Sequence, residues 1–238
     1  MKIVTWNCQG AFTRKAERIF SDAPDIAVIQ ECSKRSAEIV AHEGYRARWF
    51  GTNANKGLGV FYRKDWQLRL LAQPEQTWIV GFRVRGSEKF TLIAIWACAV
   101  KGKRLDSYVG QIHRSLVLHP RWFKSGPVVM TGDFNSNAIW DKNRLKNHSS
   151  MVSALGEHGL MSAYHDTHNE RHGSESKPTF YLYRRPDKKY QYHLDYVFVP
   201  TAWRSRMTMQ VGNHADWSSM SDHCPLTVEV SSLLEAAC

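Results

Sequence analysis

Short apolar segments, rich in Val, Ile and aromatic residues, recur along the chain between polar stretches. Segments of this length and composition predict β-strands. The predicted strands cover residues 2–6, 25–30, 59–62, 78–84, 90–98, 128–131, 193–199 and 226–230. Helical patterns lie between some of them, at 14–20, 33–43 with Ser33 as the N-cap, 104–118 and 149–158. The chain is therefore predicted to be α/β.

The order of the predicted elements narrows the architecture. Residues 58–98 read as a run of strands without helices, whereas strand and helix alternate on both sides of this region. That order favours a sandwich of sheets with helices outside over a purely parallel, doubly wound sheet. The 238 residues are 43% apolar and no linker-like stretch interrupts them, so we expect one domain over residues 1–238.

Charge and cysteine content restrict the class of protein. The chain has 32 Lys and Arg against 22 Asp and Glu, and a net charge of +10 favours polyanionic partners such as nucleic acid. It has neither the apolar core of a secretory signal nor an apolar run of about 18 residues, which predicts a soluble, cytoplasmic protein without a membrane partner. Five cysteines without CxxC spacing argue against a disulfide framework and a zinc knuckle.

Polar residues interrupt or directly end several of the predicted strands. They are Asn7, Glu31, Asp133 with Asn135, Asp195, and Asp222 with His223. A carboxylate at such a position needs a partner, a metal ion or water. One such residue alone is better explained as a turn or a cap, but the whole set is harder to explain in that way.

The set matches the chemistry of phosphodiester hydrolysis. Mg²⁺ takes oxygen ligands and needs only one or two carboxylates beside substrate phosphate, so Glu31 with Asn7 and Asp222 is a candidate shell. Hydrolysis also needs a group that activates water and positive charge on the phosphoryl oxygens. Asp133, held by Asn135, suits the first role, and His223 together with the metal suits the second.

Five motifs in order, TWNCQG, IQE, TGDFNSN, HLDYVFVP and SDHCPL, resemble those of the endonuclease/exonuclease/phosphatase superfamily, which includes exonuclease III, apurinic endonucleases and DNase I. The resemblance implies a four-layer sandwich of two mainly antiparallel sheets flanked by helices, with the site at one edge. It implies that Glu31 is the principal metal ligand, with Asn7 beside it, and that Mg²⁺ or Mn²⁺ is bound. It also implies that Asp195 orients the catalytic His223.

The chain departs from this pattern in one place. The family usually has a Tyr or His after the strand that ends near residue 96, but here the sequence is IAIWACAVKG. Tyr108, Lys101 and Lys103 are the nearest candidates for the missing phosphate contact, although helix packing explains Tyr108 equally well. Cys8 and Cys32 are expected to be buried small hydrophobic residues and not thiolate metal ligands or nucleophiles, because alternation along a strand turns them away from Asn7 and Glu31.

Residues 166–191 are charged and rich in turn formers, which predicts a functional loop. Its RRPDKKYQY segment supplies the candidate substrate-binding residues Arg184, Arg185, Lys188 and Tyr190, because cations beside aromatic rings suit a single-stranded or frayed DNA end. We expect a monomeric deoxyribonuclease, with 3′-5′ exonuclease activity slightly ahead of endonuclease or abasic-site cleavage. The alternatives are a phosphatase of phosphoinositides, nucleotides or other small phosphoesters, and a non-catalytic nucleic-acid binder.

Overall fold

Strands and short helices alternate along the residues that the computed structural model describes, which are 1–41, 44–71, 78–100, 108–142 and 146–232. Within these ranges the strands are β1 (Lys2–Asn7), β2 (Ile26–Cys32), β3 (Tyr45–Asn53), β4 (Lys56–Arg63), β5 (Gln67–Leu70), β6 (Ile79–Arg85), β7 (Lys89–Trp96), β8 (Val128–Asp133), β9 (Leu160–Ser162), β10 (Phe180–Tyr181), β11 (Gln191–Tyr192), β12 (Asp195–Pro200), β13 (Met207–Val211) and β14 (Leu226–Val230). The α-helices are α1 (Ala16–Phe20), α2 (Lys34–Ala41), α3 (Val109–Leu118), α4 (His148–Glu157), α5 (Ala163–His168) and α6 (His214–Trp217).

The strands form two six-stranded sheets and one short hairpin. The first sheet has the order β13-β14-β1-β2-β4-β3, the second has the order β5-β6-β7-β8-β12-β9, and β10 pairs with β11. Each large sheet contains one parallel pair, β1 with β2 and β7 with β8, and its other neighbours are antiparallel. The prediction of two mainly antiparallel sheets is confirmed.

Three apolar cores separate four layers. Alternation along β1 sends Ile3 into the core between the sheets and Val4 into an outer core, which α1 and α2 cover. Ile112 of α3 and Met151 of α4 pack in a third core on the outer face of the second sheet. Burying one such aliphatic side chain contributes about 1.5–3 kcal/mol, so both faces of each sheet help to hold the sandwich together. The predicted four-layer architecture is confirmed.

The helices begin close to their predicted starts where a capping residue is present. The Ser33 hydroxyl accepts a hydrogen bond from the Ser36 N–H (3.1 Å) and so caps α2; residues 42 and 43 of that prediction lie outside the described residues. Asn147 forms a capping box with Ser150 at the start of α4. A 3₁₀ turn over Phe12–Arg14 precedes α1, which therefore begins later than predicted.

The structure changes the interpretation of Tyr108. Residues 101–107 lie outside the described residues, and the helix predicted over 104–118 is observed as α3. Tyr108 precedes α3 with φ of 52° and its side chain is 43% exposed, whereas Ile112 is fully buried. Packing with the buried face of the helix therefore does not explain Tyr108.

Several strands were not predicted because they lie at sheet edges. β3 has the sequence YRARWFGTN, in which Arg46 and Arg48 are exposed, and it pairs only with β4 within the described residues. One side of an edge strand faces solvent, so its sequence lacks the apolar run that marks a central strand. β5, β9 and β13 are also edge strands. None of the described helices combines the length and the apolar character that a membrane crossing requires.

Candidate active site

The polar residues that follow strands of the two sheets meet at one edge of the sandwich. Asn7 ends β1 and Asp133 ends β8, and Asp195, the first residue of β12, lies directly opposite Asp133 in the ladder. The Asn7 side-chain amide donates to Asp133 Oδ2 (3.0 Å) and to Glu31 Oε1 (3.3 Å). Asn7 therefore links a carboxylate of the first sheet to a carboxylate of the second.

Asp133 is fully buried and is held by three donors. Besides Asn7, the Asn135 N–H donates to Oδ1 (2.9 Å) and the Asn135 amide donates to Oδ2 (2.9 Å). Asn135 can do both because its φ is 46°, a left-handed conformation that Asn tolerates better than most residues. Burial, together with the negative charge of Asp195, raises the pKa of Asp133. Asp133 is thus fixed in orientation and is a stronger base than an exposed carboxylate.

Asp195 and His223 form a buried pair. His223 Nδ1 donates to Asp195 Oδ2 at 2.8 Å, and the Thr179 hydroxyl accepts the Asp195 N–H at 3.0 Å. Burial lowers the pKa of His223, but the adjacent Asp195 charge outweighs this effect and the net result is a raised pKa. One carboxylate oxygen of Asp133, one of Asp195 and one ring nitrogen of His223 lie within 4.8 Å of one another. The pair places an imidazole, whose protonation Asp195 favours, beside the carboxylate of Asp133.

Glu31 and Asp222 supply the more accessible oxygens of the site. Glu31 lies at a bulge in β2 with φ of 63°, its side chain is 19% exposed, and its Oε2 contacts Lys56 Nζ at 2.9 Å. Asp222 Oδ2 accepts a hydrogen bond from Gln9 Nε2 (2.7 Å), and burial raises the pKa of Asp222. A left-handed Glu is uncommon and such residues occur preferentially at functional sites.

These oxygens form a donor set that fits a hard divalent cation. Glu31 already attracts the ammonium group of Lys56, so its carboxylate is available to positive charge. Mg²⁺ and Mn²⁺ favour carboxylate oxygens and keep several waters, and Glu31 and Asp222 offer oxygens of this kind; their binding of a metal stays a prediction. Asn7 lies beside them, but its amide oxygen accepts the Gln9 N–H (3.0 Å) and its amide nitrogen faces the carboxylates. Its direct ligation of a metal stays a prediction.

The predicted functional loop is attached directly to the site. The Tyr181 N–H donates to the Asp222 carbonyl (2.7 Å), and Phe180 forms a β-bridge with His223. Arg184 donates to the Gln9 side chain, which in turn holds Asp222, so this arginine lies at the rim of the site. Arg184 has φ of 57°, which helps the chain turn here.

The other candidate substrate residues lie farther along the same loop or beside α3. Arg185 stacks over the Tyr190 ring at 4.7 Å, and Lys188 is exposed. Tyr108 lies next to the departure from the family pattern, because its N–H donates to the Cys98 carbonyl (3.0 Å). Lys101 and Lys103 lie outside the described residues. The roles of all these residues in binding stay predictions.

The cysteines near the site are packing residues. Cys8 and Cys32 are fully buried in the outer core, on the opposite face from Asn7, and Cys224 is buried there as well. Burial raises the pKa of the Cys8 thiol to about 12, so it is a poor nucleophile at neutral pH. All three, and Cys98, are free thiols. The prediction that Cys8 and Cys32 act as small hydrophobic residues is confirmed.

Sequence reasoning missed three residues that shape the site. Gln9 connects Arg184 to Asp222, Lys56 pairs with Glu31, and the Ser221 hydroxyl donates to the Asn7 carbonyl (2.7 Å). Gln9 and Ser221 belong to motifs that were singled out, TWNCQG and SDHCPL. Lys56 had no signal, because a lysine at the start of a hairpin strand is ordinarily a solvated surface residue.

Known proteins share both the sequence pattern and the fold. A sequence model of the Endonuclease/Exonuclease/phosphatase family matches residues 4–223. No curated protein matches the chain. The structure is similar to the 3′ phosphatase NExo from Neisseria bound to a product DNA hairpin, with a TM-score of 0.67 and 22% identity, over 97% of this chain and 99% of that chain.

Two further structures are similar at lower identity. One is an AP endonuclease from Archaeoglobus fulgidus, with a TM-score of 0.69 and 19% identity over 97% of this chain and 99% of that chain. The other is truncated TDP2 from Caenorhabditis elegans, with a TM-score of 0.68 and 12% identity over 95% of each chain. At these identities the similarity establishes the fold. Because the family match spans most of the chain and includes the whole candidate site, this protein belongs to the endonuclease/exonuclease/phosphatase family of hydrolytic enzymes that act on phosphoester bonds.

Proposed function

We propose that the protein is a divalent-metal-dependent phosphodiesterase that hydrolyses DNA. The observation that carries the proposal is the buried group of Asp133, Asp195 and His223, in which a carboxylate oxygen of each Asp and a ring nitrogen of His223 lie within 4.8 Å of one another. The more accessible carboxylate of Glu31 is linked to this group through Asn7. The group combines a carboxylate that can orient water with a positively charged donor for a phosphoryl oxygen.

Each residue of the site has a distinct role in this proposal. Asp133 accepts a proton from the attacking water, and Asn135 and Asn7 keep its carboxylate in place. His223 donates a hydrogen bond to the scissile phosphate, while Asp195 fixes the orientation of its ring. Glu31 and Asp222 would hold Mg²⁺ or Mn²⁺, which supplies positive charge to the phosphoryl oxygens when bound.

The proposed substrate is DNA, with removal of nucleotides from a 3′ end ahead of internal or abasic-site cleavage. The net charge of +10 attracts a polyanion, and the loop at the rim of the site combines cations with aromatic rings. Tyr183 is 75% exposed and lies edge-to-face with Tyr190, so stackable rings face solvent beside Arg184. This combination suits an unpaired DNA end. A structural neighbour, NExo, was solved with a DNA hairpin product, which supports the same class of substrate.

A substrate panel tests the proposal. Turnover is measured on single-stranded, duplex and abasic DNA, on DNA with a 3′-phosphate, on RNA and on small phosphoesters, each with and without EDTA. We expect the highest kcat/KM on DNA, shortening from the 3′ end, and loss of turnover with EDTA that excess Mg²⁺ or Mn²⁺ restores. A clear preference for small phosphoesters would support the alternative phosphatase instead. Turnover that persists after chelation would rule out the metal-dependent mechanism.

Replacing His223 tests the proposed phosphate donor. We expect His223→Ala to lower kcat by a factor of about 10² or more, the usual cost of losing one donor to a developing oxyanion. The protein is expected to remain folded but less stable, because the substitution leaves the buried Asp195 carboxylate without its partner. Single-turnover rates and thermal unfolding distinguish the two effects. His158→Ala, at an exposed histidine after α4, is the control and should leave the rate unchanged.

A further inference from the structure

A second cluster of titratable side chains packs around the ring of Tyr196, the residue after Asp195. His165 belongs to α5, His172 and Glu175 follow α5, and His193 directly precedes β12. The candidate ligand atoms of His165, His172 and Glu175 lie within 4.8 Å of one another. The chain brings them together because Gly173, with φ of 92°, turns it between His172 and Glu175.

The distances within the cluster match those of ligands that share one metal ion. His165 Nε2 and Glu175 Oε1 are 3.1 Å apart. Two ligands of a tetrahedral Zn²⁺ with bonds of about 2.0–2.1 Å are separated by about 3.3 Å. The rings of His165 and His172 are stacked with centroids 3.5 Å apart. Because an imidazole nitrogen binds a metal in the plane of its ring, one of the two rings must rotate for both to bind the same ion.

The outer nitrogens of the cluster are already fixed. His165 Nδ1 is hydrogen-bonded to the Ser162 hydroxyl (2.8 Å), and His172 Nδ1 to His148 Nε2 (2.9 Å). His193 Nδ1 is hydrogen-bonded to the Lys177 carbonyl (2.8 Å). Metal-binding histidines commonly use one ring nitrogen for such a contact and the other for the metal.

His193 gives an independent indication of a missing ligand. It is 2% exposed, and its Nε2 has no hydrogen-bond partner within the described residues. A buried polar atom without a partner is unfavourable and rare in folded proteins. The His193 ring centroid lies 5.9 Å from that of His165, and His193 and Glu175 line one cavity of about 120 Å³. The unpaired nitrogen therefore lies beside the three clustered residues, although it is not among the atoms that lie within 4.8 Å of one another.

We propose that His165, His172 and Glu175 form a binding site for a divalent transition-metal ion such as Zn²⁺, separate from the site at Glu31 and with His193 beside it. Imidazole nitrogens with one carboxylate favour zinc and similar ions over Mg²⁺, which prefers oxygen ligands. The ion would tie α5 to the segment that follows it. That segment contains Thr179, whose hydroxyl accepts the N–H groups of Leu194 and Asp195. The bound ion would thus stabilise the loop on which the Asp195–His223 pair depends.

Metal titration of the folded protein tests this site. The Glu31→Gln variant, which lacks the principal ligand of the other site, is stripped with chelator, and Zn²⁺ or Co²⁺ is added. We expect one equivalent to bind, with the visible absorption of tetrahedral Co²⁺. His172→Gln and Glu175→Gln in the same background should each weaken metal binding by about 100-fold or more. Loss of a residue that only contacts a metal ligand already weakens binding by about 10- to 100-fold, and loss of a ligand should cost at least as much. His158→Gln, outside the cluster, should bind as the parent does.

Thermal unfolding provides a second readout that is independent of nuclease activity. Zn²⁺ should raise the midpoint of unfolding of the parent, because an ion that binds only the folded state stabilises it, and should leave that of His172→Gln unchanged. If the parent binds no equivalent of Zn²⁺, or if both cluster variants bind it as tightly as the parent, the proposal is wrong and the cluster is a hydrogen-bonded packing group. Neither result depends on which phosphoester the enzyme cleaves.

Discussion

Asp133→Asn is expected to remove almost all phosphodiesterase activity. The substitution keeps the size and shape of the side chain but replaces the carboxylate, the proposed general base, by an amide that cannot take a proton from the attacking water. General base catalysis contributes factors of about 10² to 10⁴, and we expect kcat to fall by about 10³. The new amide would also bring a donor against the amides of Asn7 and Asn135, which now donate to the carboxylate. The measurement is the single-turnover rate with saturating metal.

The fold is expected to tolerate this change. Asp133 and Asp195 are both fully buried carboxylates, and a neutral amide at position 133 removes the repulsion between them. The change also removes the attraction between Asp133 and His223 and sets a donor against one of the asparagines, so these effects oppose one another and we expect the midpoint of thermal unfolding to stay close to that of the wild type. Asp141→Asn is the matched control, since Asp141 accepts the His148 and Ser149 N–H groups at the start of α4. A turnover of Asp133→Asn within tenfold of wild type would contradict the assignment of the base.

The part of the site that could be predicted consists of polar residues attached to strong strands. Asp133 follows the apolar run PVVM and Asp195 precedes VFV, so both were recognisable as polar residues in a buried context. The resemblance to a family added the order of the motifs and hence the pairing of Asp195 with His223. The structure brings these residues together through the register of β8 with β12, in which Asp195 lies opposite Asp133.

The contacts that could not be predicted join residues far apart in the sequence. Gln9 is hydrogen-bonded to Asp222, which lies 213 positions away in the sequence, and Arg184 is hydrogen-bonded to Gln9, which lies 175 positions away. No local pattern encodes such contacts, because they depend on how two sheets and a loop meet. The histidine cluster shows the same limit: residues 166–191 were predicted to be functional, but His165 and His193 flank that range and join the cluster only in the fold.

Asn7 shows why the site lies at this edge of the sandwich. The parallel pairing of β1 with β2 brings the ends of both strands to the same side, where Asn7 meets Glu31. The parallel pairing of β7 with β8 does the same in the second sheet, where β8 ends at Asp133. One amide therefore connects the carboxylate proposed to bind metal with the one proposed to activate water.

Glu31→Gln is expected to reduce activity by weakening the binding of the catalytic metal. Gln keeps the length of the side chain, but its single oxygen can accept from either the Asn7 amide or Lys56 and not from both, and it lacks the charge that a hard cation requires. We expect kcat/KM at a fixed, low concentration of Mg²⁺ to fall by about 10³. This factor corresponds to the loss of several kcal/mol of transition-state stabilisation, which is what a bound metal supplies. The measurement is the initial rate on the preferred DNA substrate as a function of Mg²⁺ and Mn²⁺ concentration.

The dependence on metal concentration separates this variant from Asp133→Asn. If Glu31 binds the metal, raising Mg²⁺ or Mn²⁺ should restore part of the activity of Glu31→Gln, because mass action compensates for weaker binding. The same addition should not rescue Asp133→Asn, which retains Glu31 and Asp222. Glu38→Gln, at an exposed glutamate of α2, is the control and should follow the wild-type metal curve. Wild-type turnover by Glu31→Gln at low metal concentration would show that another group holds the ion.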